Sequence, residues 1–399
     1  MKFLWKQKWK QKILVMITVL IPLLTAQPLE AHAQSIKLEK PKSTLQGQPQ
    51  KSLVITVRSG QQAAFVSDLR IESREMDAAL RQAKLAAAPA AEVDLFSDVY
   101  ITLLSPEATY YRLERNGQLW DEIKLERKVL PPKIAEKLVG LAEALRTQHY
   151  GELLTWQQST QIMPNKSIFS VTELETGLTF NVQRRAGSDH ADVQPLTKDD
   201  TRIMKQIYNG RWSWKRKAVL IHSDDAWIAA SMNGMPHGGD GIPENGFSGH
   251  FCIHFLGSST HKSDTPDPAH QMMVHKAAGQ IIPYFDSAAP LVLAKSFVEV
   301  MYHQDKELML LLIKGLPKEK QDAFLQQMDN LVSIREQLPA KGNKAPLPED
   351  NGLADALTAE IRLPVTIHPL NGPRRNGSFT FLFKRDSAQS PWRMQDIIE

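Results

Sequence analysis

Cys252 is the only cysteine among 399 residues, and it stands in Gly249-His250-Phe251-Cys252-Ile253-His254-Phe255 with His237 fifteen positions upstream. A thiol becomes a strong nucleophile when it ionises. A neighbouring imidazole can take its proton or stabilise the thiolate, lowering its pKa from about 8.5 toward neutrality. Read as a strand, the stretch sends Phe251, Ile253 and Phe255 to one face and His250, Cys252 and His254 to the other. The apolar row would anchor the strand in a core, while the other row would present a thiol between two imidazoles at a cleft. The alternative is the usual fate of a free cysteine, a small buried hydrophobe.

The compartment narrows these choices. Lys2, Lys6, Lys8, Lys10 and Lys12 precede an apolar run from Ile13 to Ala26, and Ala31-His32-Ala33 offers small residues before a cut ahead of Gln34. Residues 1–33 therefore read as a signal peptide. The run contains Pro22 and is shorter than the roughly 20 residues that span a bilayer, which predicts a secreted or wall-associated protein with no stable membrane anchor after cleavage. An exported chain with one cysteine has no internal disulfide to make. Cys252 is then a buried filler, half of an intermolecular bridge or a reactive thiol, and the histidines favour the last. The leader carries five lysines and one glutamate of a chain whose formal charge is +4, so the remainder is neutral. No global basic field argues for nucleic acid, and Lys215-Arg216-Lys217 and Arg374-Arg375 are short enough to be solvated loop or strand-end charges.

His237-Gly238, a spacer, then His250-x-Cys252 followed by an apolar residue resembles the signature of the YkuD-type L,D-transpeptidases, whose pattern is His-Gly, a spacer of similar length and Ser/Thr-His-Gly-Cys-apolar-Arg. The resemblance is confined to the central region. It implies a β-rich domain that remodels cell-wall peptidoglycan. The family's cysteine attacks the carbonyl of the L-centred third residue of a stem peptide, expels the terminal D-alanine and passes the acyl group to an amine, or to water in a carboxypeptidase. Carried onto this chain, the resemblance implies Cys252 as nucleophile, His237 as its base and His250 as a partner that orients or polarises the site. Backbone amides near Phe251 and Cys252 would form the oxyanion hole. The partner implied is a peptidoglycan stem peptide, and no cofactor is expected. Three positions depart from the pattern: Phe251 replaces glycine, Gly249 replaces Ser/Thr with Ser248 one residue earlier, and His254 replaces arginine. At the last position, binding of a substrate carboxylate would be weaker and pH-dependent. A chain whose activity decayed through Phe251 and His254 would be a noncatalytic peptidoglycan-binding protein.

A second cluster is Arg184-Arg185-Ala186-Gly187-Ser188-Asp189-His190-Ala191-Asp192. On an extended segment Ser188, His190 and Asp192 share a face, which could aim a carboxylate–imidazole pair into the same cleft. Arg184 and Arg185 could clamp a substrate carboxylate. A loop whose Asp and Ser cap turns is the plain alternative. Gly238 lies in the glycine-rich Asn233–Gly239 loop, where backbone amides could approach a substrate closely. His190, Asp192, His237, His250, Cys252 and His254 also hold enough donors for the catalytic zinc of a peptidoglycan peptidase. However, His-x-Cys-x-His on a single strand is not a usual ligand spacing, so no metal is expected. His270 and His275, five apart on a predicted helix, share no face and are expected at the surface.

With 42% hydrophobic residues, the chain can build more than one core. Residues 34–50 read as a flexible lead-in. Residues 51–150 read as an N-terminal α+β accessory domain: a strand at Leu53–Val57, helical composition over Glu75–Ala88, a hairpin from Tyr110 to Ile123 turning at Asn116-Gly117, and a helix over Ile134–Arg146. Residues 151–284 read as the β-rich cysteine domain, with strands over 168–171 and 178–184, a helix over 199–208, a hairpin of 217–222 with 227–232, and the cysteine strand. Residues 285–399 read as helices over Ala288–Leu316 and Lys318–Leu338, then strands over 361–367, 378–384 and 392–398. That order weakly resembles an NTF2-like α+β cone. The fold class expected is α+β multidomain, a YkuD-like β-rich centre flanked by an N-terminal α+β domain and a C-terminal NTF2-like α+β domain. No pattern specifies an oligomeric state or an acceptor amine.

Overall fold

The computed structural model of the chain describes residues 52–104, 107–239, 241–260, 263–337 and 353–399, and it is a mixed α+β protein with several sheets. The expected leader 1–33 and lead-in 34–50, His261 and the Pro/Gly/Lys-rich stretch near 339–352 lie outside the described residues. Among the described residues no helix is long and apolar enough to cross a membrane. The chain divides into two compact units, one comprising 52–56, Ser67–Leu95 and Tyr100–Val139, the other Val57–Val66, Phe96–Val99 and Gly140–Glu399.

The N-terminal sheet has seven strands, β1 (Ser52–Val57), β2 (Ser67–Ile71), β3 (Lys84–Ala87), β4 (Leu95–Leu104), β5 (Thr109–Glu114), β6 (Leu119–Asp121) and β7 (Glu126–Val129), in the order β2-β1-β4-β5-β6-β7-β3. The β5–β6 hairpin turns at Asn116-Gly117 as its sequence predicts, with Gly117 at φ +80°. The expected helix over Glu75–Ala88 is shorter. Helix α1 (Arg74–Gln82) stops, and Lys84–Ala87 pairs along β7 as an edge strand. Ladder hydrogen bonds to β7 outweigh the strong intrinsic helical preference of Lys84, Leu85, Ala86 and Ala87. Helix α2 (Pro132–His149) follows.

After helix α3 (Trp156–Ile162), six antiparallel strands close a small barrel: β8 (Ile168–Glu173), β9 (Thr179–Ala186), β10 (Ala191–Pro195), β11 (Lys217–Ser223), β12 (Ala226–Met232) and β13 (Phe251–His254). Their order is β10-β13-β12-β11-β8-β9. Alternation fills the barrel with Val171, Phe180, Val193, Ile221, Ala230 and Phe251, among others. Helix α4 (Lys198–Ile207) packs beside β9 and β10 and starts in a capping box, the Thr197 hydroxyl accepting from Asp200 N–H while the Asp200 carboxylate reaches back to Thr197. The short pair β14 (Ser259–Thr260) and β15 (Ser263–Pro266) leads into helix α5 (Pro268–Ala277), which lies across β11, β12 and β13 on the outside of the barrel.

The C-terminal part places helices α6 (Ile281–Ser287), α7 (Pro290–His303), α8 (Lys306–Leu312) and α9 (Lys318–Asp329) before the antiparallel meander β16 (Leu331–Glu336), β17 (Thr358–Pro369), β18 (Arg375–Lys384) and β19 (Arg393–Ile398). Phe297 on α7 packs on Phe379 and Phe381 of the sheet. The expected helix over Ala288–Leu316 is interrupted where Gln304 turns left-handed (φ +61°) and Asp305 caps α8. The end of the expected helix over Lys318–Leu338 is instead strand β16, whose Leu331 and Ile334 are buried.

Candidate active site

The site lies on the outer wall of the barrel beneath α5. Phe251, Ile253 and Phe255 enter the interior core, so Cys252 and His254 face the opposite way, as period-two alternation requires. Strand β10 runs antiparallel beside β13 with Asp192 directly across from Cys252. On the other side the loop after β12 returns to pair His237 with His250, His237 N–H donating to the His250 carbonyl (2.9 Å) and His250 N–H to the His237 carbonyl (2.7 Å). Register alone thus brings His237, His250, Cys252 and Asp192 together. Two glycines permit the approach: at Gly238 (φ +77°) a Cβ would lie 2.1 Å from His250 Cε1, and at Gly249 (φ +87°) one would lie 2.3 Å from the His237 carbonyl oxygen.

His237 Nε2 stands 3.2 Å from Cys252 Sγ. Its Nδ1 donates to the Met235 carbonyl (2.8 Å), and since a carbonyl only accepts, the proton of the neutral ring is on Nδ1 and the Nε2 lone pair faces the sulfur. Asp192 Oδ1 lies 3.8 Å from Sγ, 3.5 Å from His250 Nε2 and 3.3 Å from His190 Nε2. His190 Nδ1 donates to the Ser259 carbonyl (2.9 Å), which fixes that ring against the carboxylate. The His190, His254 and His270 rings stack in series, with centroids 4.4 and 3.7 Å apart. His270 Nδ1 meets the Ser231 hydroxyl at 2.9 Å.

Cys252 is only 4% exposed, yet its neighbours are polar. The expectation of a thiol drawn toward neutrality is corrected: burial first, and then the Asp192 charge, push it up to about 12, opposed by a hydrogen bond from Asn233. The resting pair is therefore S–H facing imidazole, not thiolate facing imidazolium. His270, buried beside His254 and Arg216, is held well below the ordinary imidazole range and is neutral.

Several expectations change. His254, 2% exposed and sandwiched between two imidazoles, does not reach a groove where it could take a substrate carboxylate. The Arg184 guanidinium is committed to Thr160 Oγ1 (2.6 Å) and the carbonyls of Met163 (2.7 Å) and Gly187 (2.9 Å), above the Trp156 ring, so it braces the β9–β10 connection rather than clamping a ligand. Arg185 points the other way on β9, exposed and bonded to Gln183 Oε1. Ser188 is absorbed by Asp189 and Trp156 and takes no part, whereas His190 and Asp192 do meet the cysteine, His190 through Asp192.

Four contributors went unread in the sequence. His270 was expected at the surface, but α5 is buried on nearly every side, the mark of a helix enclosed by its protein. Ser231 binds it. Asn233 donates toward Cys252 and also accepts from Met235 N–H (3.3 Å), shaping the loop that carries His237. Trp214, 39% exposed, holds its ring 5.1 Å from that of His237 at the rim, where His237 and His250 are partly open. No family model matches the chain, and no curated protein and no solved structure is significantly similar to it.

Proposed function

We propose that the protein is exported and acts on peptidoglycan stem peptides as a cysteine-dependent L,D-transpeptidase or L,D-carboxypeptidase, with the barrel as a divergent YkuD-like catalytic domain and the C-terminal helices and meander as an NTF2-like binding domain. The observation that carries this reading is the 3.2 Å contact between Cys252 Sγ and a His237 Nε2 whose lone pair is aimed by the Met235 carbonyl. Because the resting thiol is protonated, His237 removes its proton as sulfur attacks the stem-peptide carbonyl, which is general-base rather than preformed-thiolate chemistry. The tetrahedral oxyanion is met by the Cys252 amide. Asn233 N–H donates to the Cys252 carbonyl (3.3 Å), and in an extended strand a residue's N–H and C=O point the same way, so that amide faces the Asn233 loop. Collapse breaks the C–N bond. The terminal D-alanine leaves with the proton held by His237, and the acyl group stays on sulfur as a thioester. An acceptor amine, or water, then yields its proton to His237, attacks the thioester and releases the thiol. Trp214 at the rim offers a flat apolar wall to the incoming peptide.

Asp192 and His190 position this machinery from behind, which assigns the second sequence cluster a supporting rather than substrate-binding role. The second reading, a peptidoglycan binder with a decayed site, is favoured by one observation, a sulfur only 4% exposed with the Asp192 carboxylate 3.8 Å away. Incubation of purified stem tetrapeptide with the protein and with Cys252→Ala separates the two. Release of D-alanine by the wild type alone supports the enzyme. Binding without release by either supports the binder.

A further inference from the structure

The donors around Cys252 also form a set that chemistry recognises for another reason. His237, His250 and Cys252 each offer one ligand atom, all within 4.8 Å of one another. The Asp192 carboxylate joins them from the facing strand. In tetrahedral zinc sites nitrogen and oxygen ligands sit at about 2.0–2.2 Å and sulfur at about 2.3 Å, so neighbouring donors lie roughly 3.3–3.8 Å apart. Three donor pairs here already have those separations, or nearly so: Nε2 of His237 to Sγ at 3.2 Å, Oδ1 of Asp192 to Sγ at 3.8 Å, and Oδ1 of Asp192 to Nε2 of His250 at 3.5 Å. We propose that this cluster binds one zinc ion through Cys252 Sγ, His237 Nε2, His250 Nε2 and Asp192 Oδ1, and that the zinc-bound form is closed to acylation.

The objection to a zinc site in the sequence, ligands crowded on one strand, does not apply to this set. Only His250 and Cys252 share a strand face. Asp192 comes from the cross-strand partner of Cys252, and His237 from the segment bridged to His250. Outer partners are in place as well. The Met235 carbonyl holds the His237 ring and His190 holds the Asp192 carboxylate, the kind of support that orients metal ligands. Two imidazoles, one thiolate and one carboxylate balance a divalent charge. The alternative set of His190, Cys252 and His254 is less apt, because the His190 nitrogens already face the Ser259 carbonyl and Asp192. Ions can enter from the partly open side of His237 and His250.

Four protein ligands leave no coordination position for water, so this zinc would not be hydrolytic. It would occupy the sulfur and the base together, making metal binding and thioester formation mutually exclusive. That inhibitory half rests on the function proposed above; the binding half does not.

Titrating the metal-free full chain with Co²⁺ tests the site directly. The expected result is the intense visible spectrum of tetrahedral cobalt with a sulfur-to-cobalt charge-transfer band, displaced by Zn²⁺ and absent from Cys252→Ala. His190→Ala, which keeps all four ligands, should weaken zinc binding by roughly 10- to 100-fold in competition with a chromophoric chelator. A weak octahedral spectrum, or a spectrum unchanged in Cys252→Ala, overturns the proposal whatever the peptide assay gives. If tetrapeptide acylates Cys252, saturating Zn²⁺ should abolish the reaction and a chelator should restore it. Acylation that continues at full rate on the zinc-bound protein overturns the inhibitory half. A tetrahedral site on a chain that never acylates leaves zinc binding standing and removes the enzymatic reading alone.

Discussion

His250 keeps its place because nothing projects from Gly238. In Gly238→Ala the new methyl would collide with the His250 ring on a backbone at φ +77°, where L side chains are strained. A loss of about 1–3 kcal/mol is expected in urea denaturation, together with loss of peptide turnover. The adjacent Gly239 provides the control, since a Cβ there meets nothing within 4 Å, so Gly239→Ala should leave stability unchanged. At this scale the sequence was most informative where chemistry followed from local geometry. Alternation placed Cys252 opposite the apolar row, and His237 did prove to be the imidazole on the sulfur. What stayed illegible depended on neighbours remote in the chain. His254 read as an exposed substitute for arginine because α5, which covers it with His270, begins fourteen residues later. Arg184 read as a clamp because its carbonyl partners come from loops that no residue pattern marks.

Helix α5 is the element on which the buried side of the site depends. Asp267 caps it, accepting from Ala269 N–H (2.8 Å) and His270 N–H (3.1 Å), and it also pairs with Arg216 at 2.7 Å. Asp267→Ala removes both the cap and the partner of a mostly buried guanidinium, and about 2–4 kcal/mol of stability should disappear in chemical denaturation. The same change frees the N-terminal turn that carries His270, so the stack behind Cys252 should lose order, which the imidazole resonances in NMR would report as broadening. Element identity was legible wherever periodicity and punctuation agreed. The helix over 199–208, the hairpin of 217–222 with 227–232 and the helix that carries His270 and His275 all stand where their residues place them, to within a residue at the ends of the first. The errors at 84–87 and 331–336 share one cause. Short segments, one of them (Lys84–Ala87) made of good helix formers, were captured by strands distant in sequence, β7 and β17, and pairing partners of that kind leave no mark in local composition.

At the scale of the larger unit, barrel and C-terminal helices are joined by buried polar contacts whose protonation sets a pH dependence. His303 at the end of α7 accepts the Arg216 N–H on Nε2 (2.7 Å) and donates Nδ1–H to the Glu299 carbonyl (2.7 Å), an arrangement open only to the neutral ring. Burial, with the nearby charges of Arg216 and Lys215 outweighing Asp305, lowers its pKa to about 4. A histidine depressed in the fold relative to about 6.5 unfolded contributes stability that is complete above about 6.5 and lost as the pH falls to about 4. His303→Gln, whose amide can still accept from Arg216, should lack that component, so the wild type should lose up to about 3 kcal/mol more than the variant across this window in urea titrations. Glu299 runs the other way. Burial raises it to about 7, so the stability it contributes is lost as the pH rises from about 4.5 to 7, and only the difference between the two proteins isolates His303. The antiparallel closure of six strands into a barrel was not legible in the sequence, because no residue records which strand ends meet. Everything functional turns on whether sulfur 3.2 Å from an imidazole lone pair becomes acylated. Intact-mass spectrometry of the protein incubated with stem tetrapeptide and quenched in acid should find a thioester adduct of the tripeptide acyl group on Cys252, absent from Cys252→Ala and strongly reduced in His237→Ala. An unmodified Cys252 in the presence of bound peptide would contradict the account.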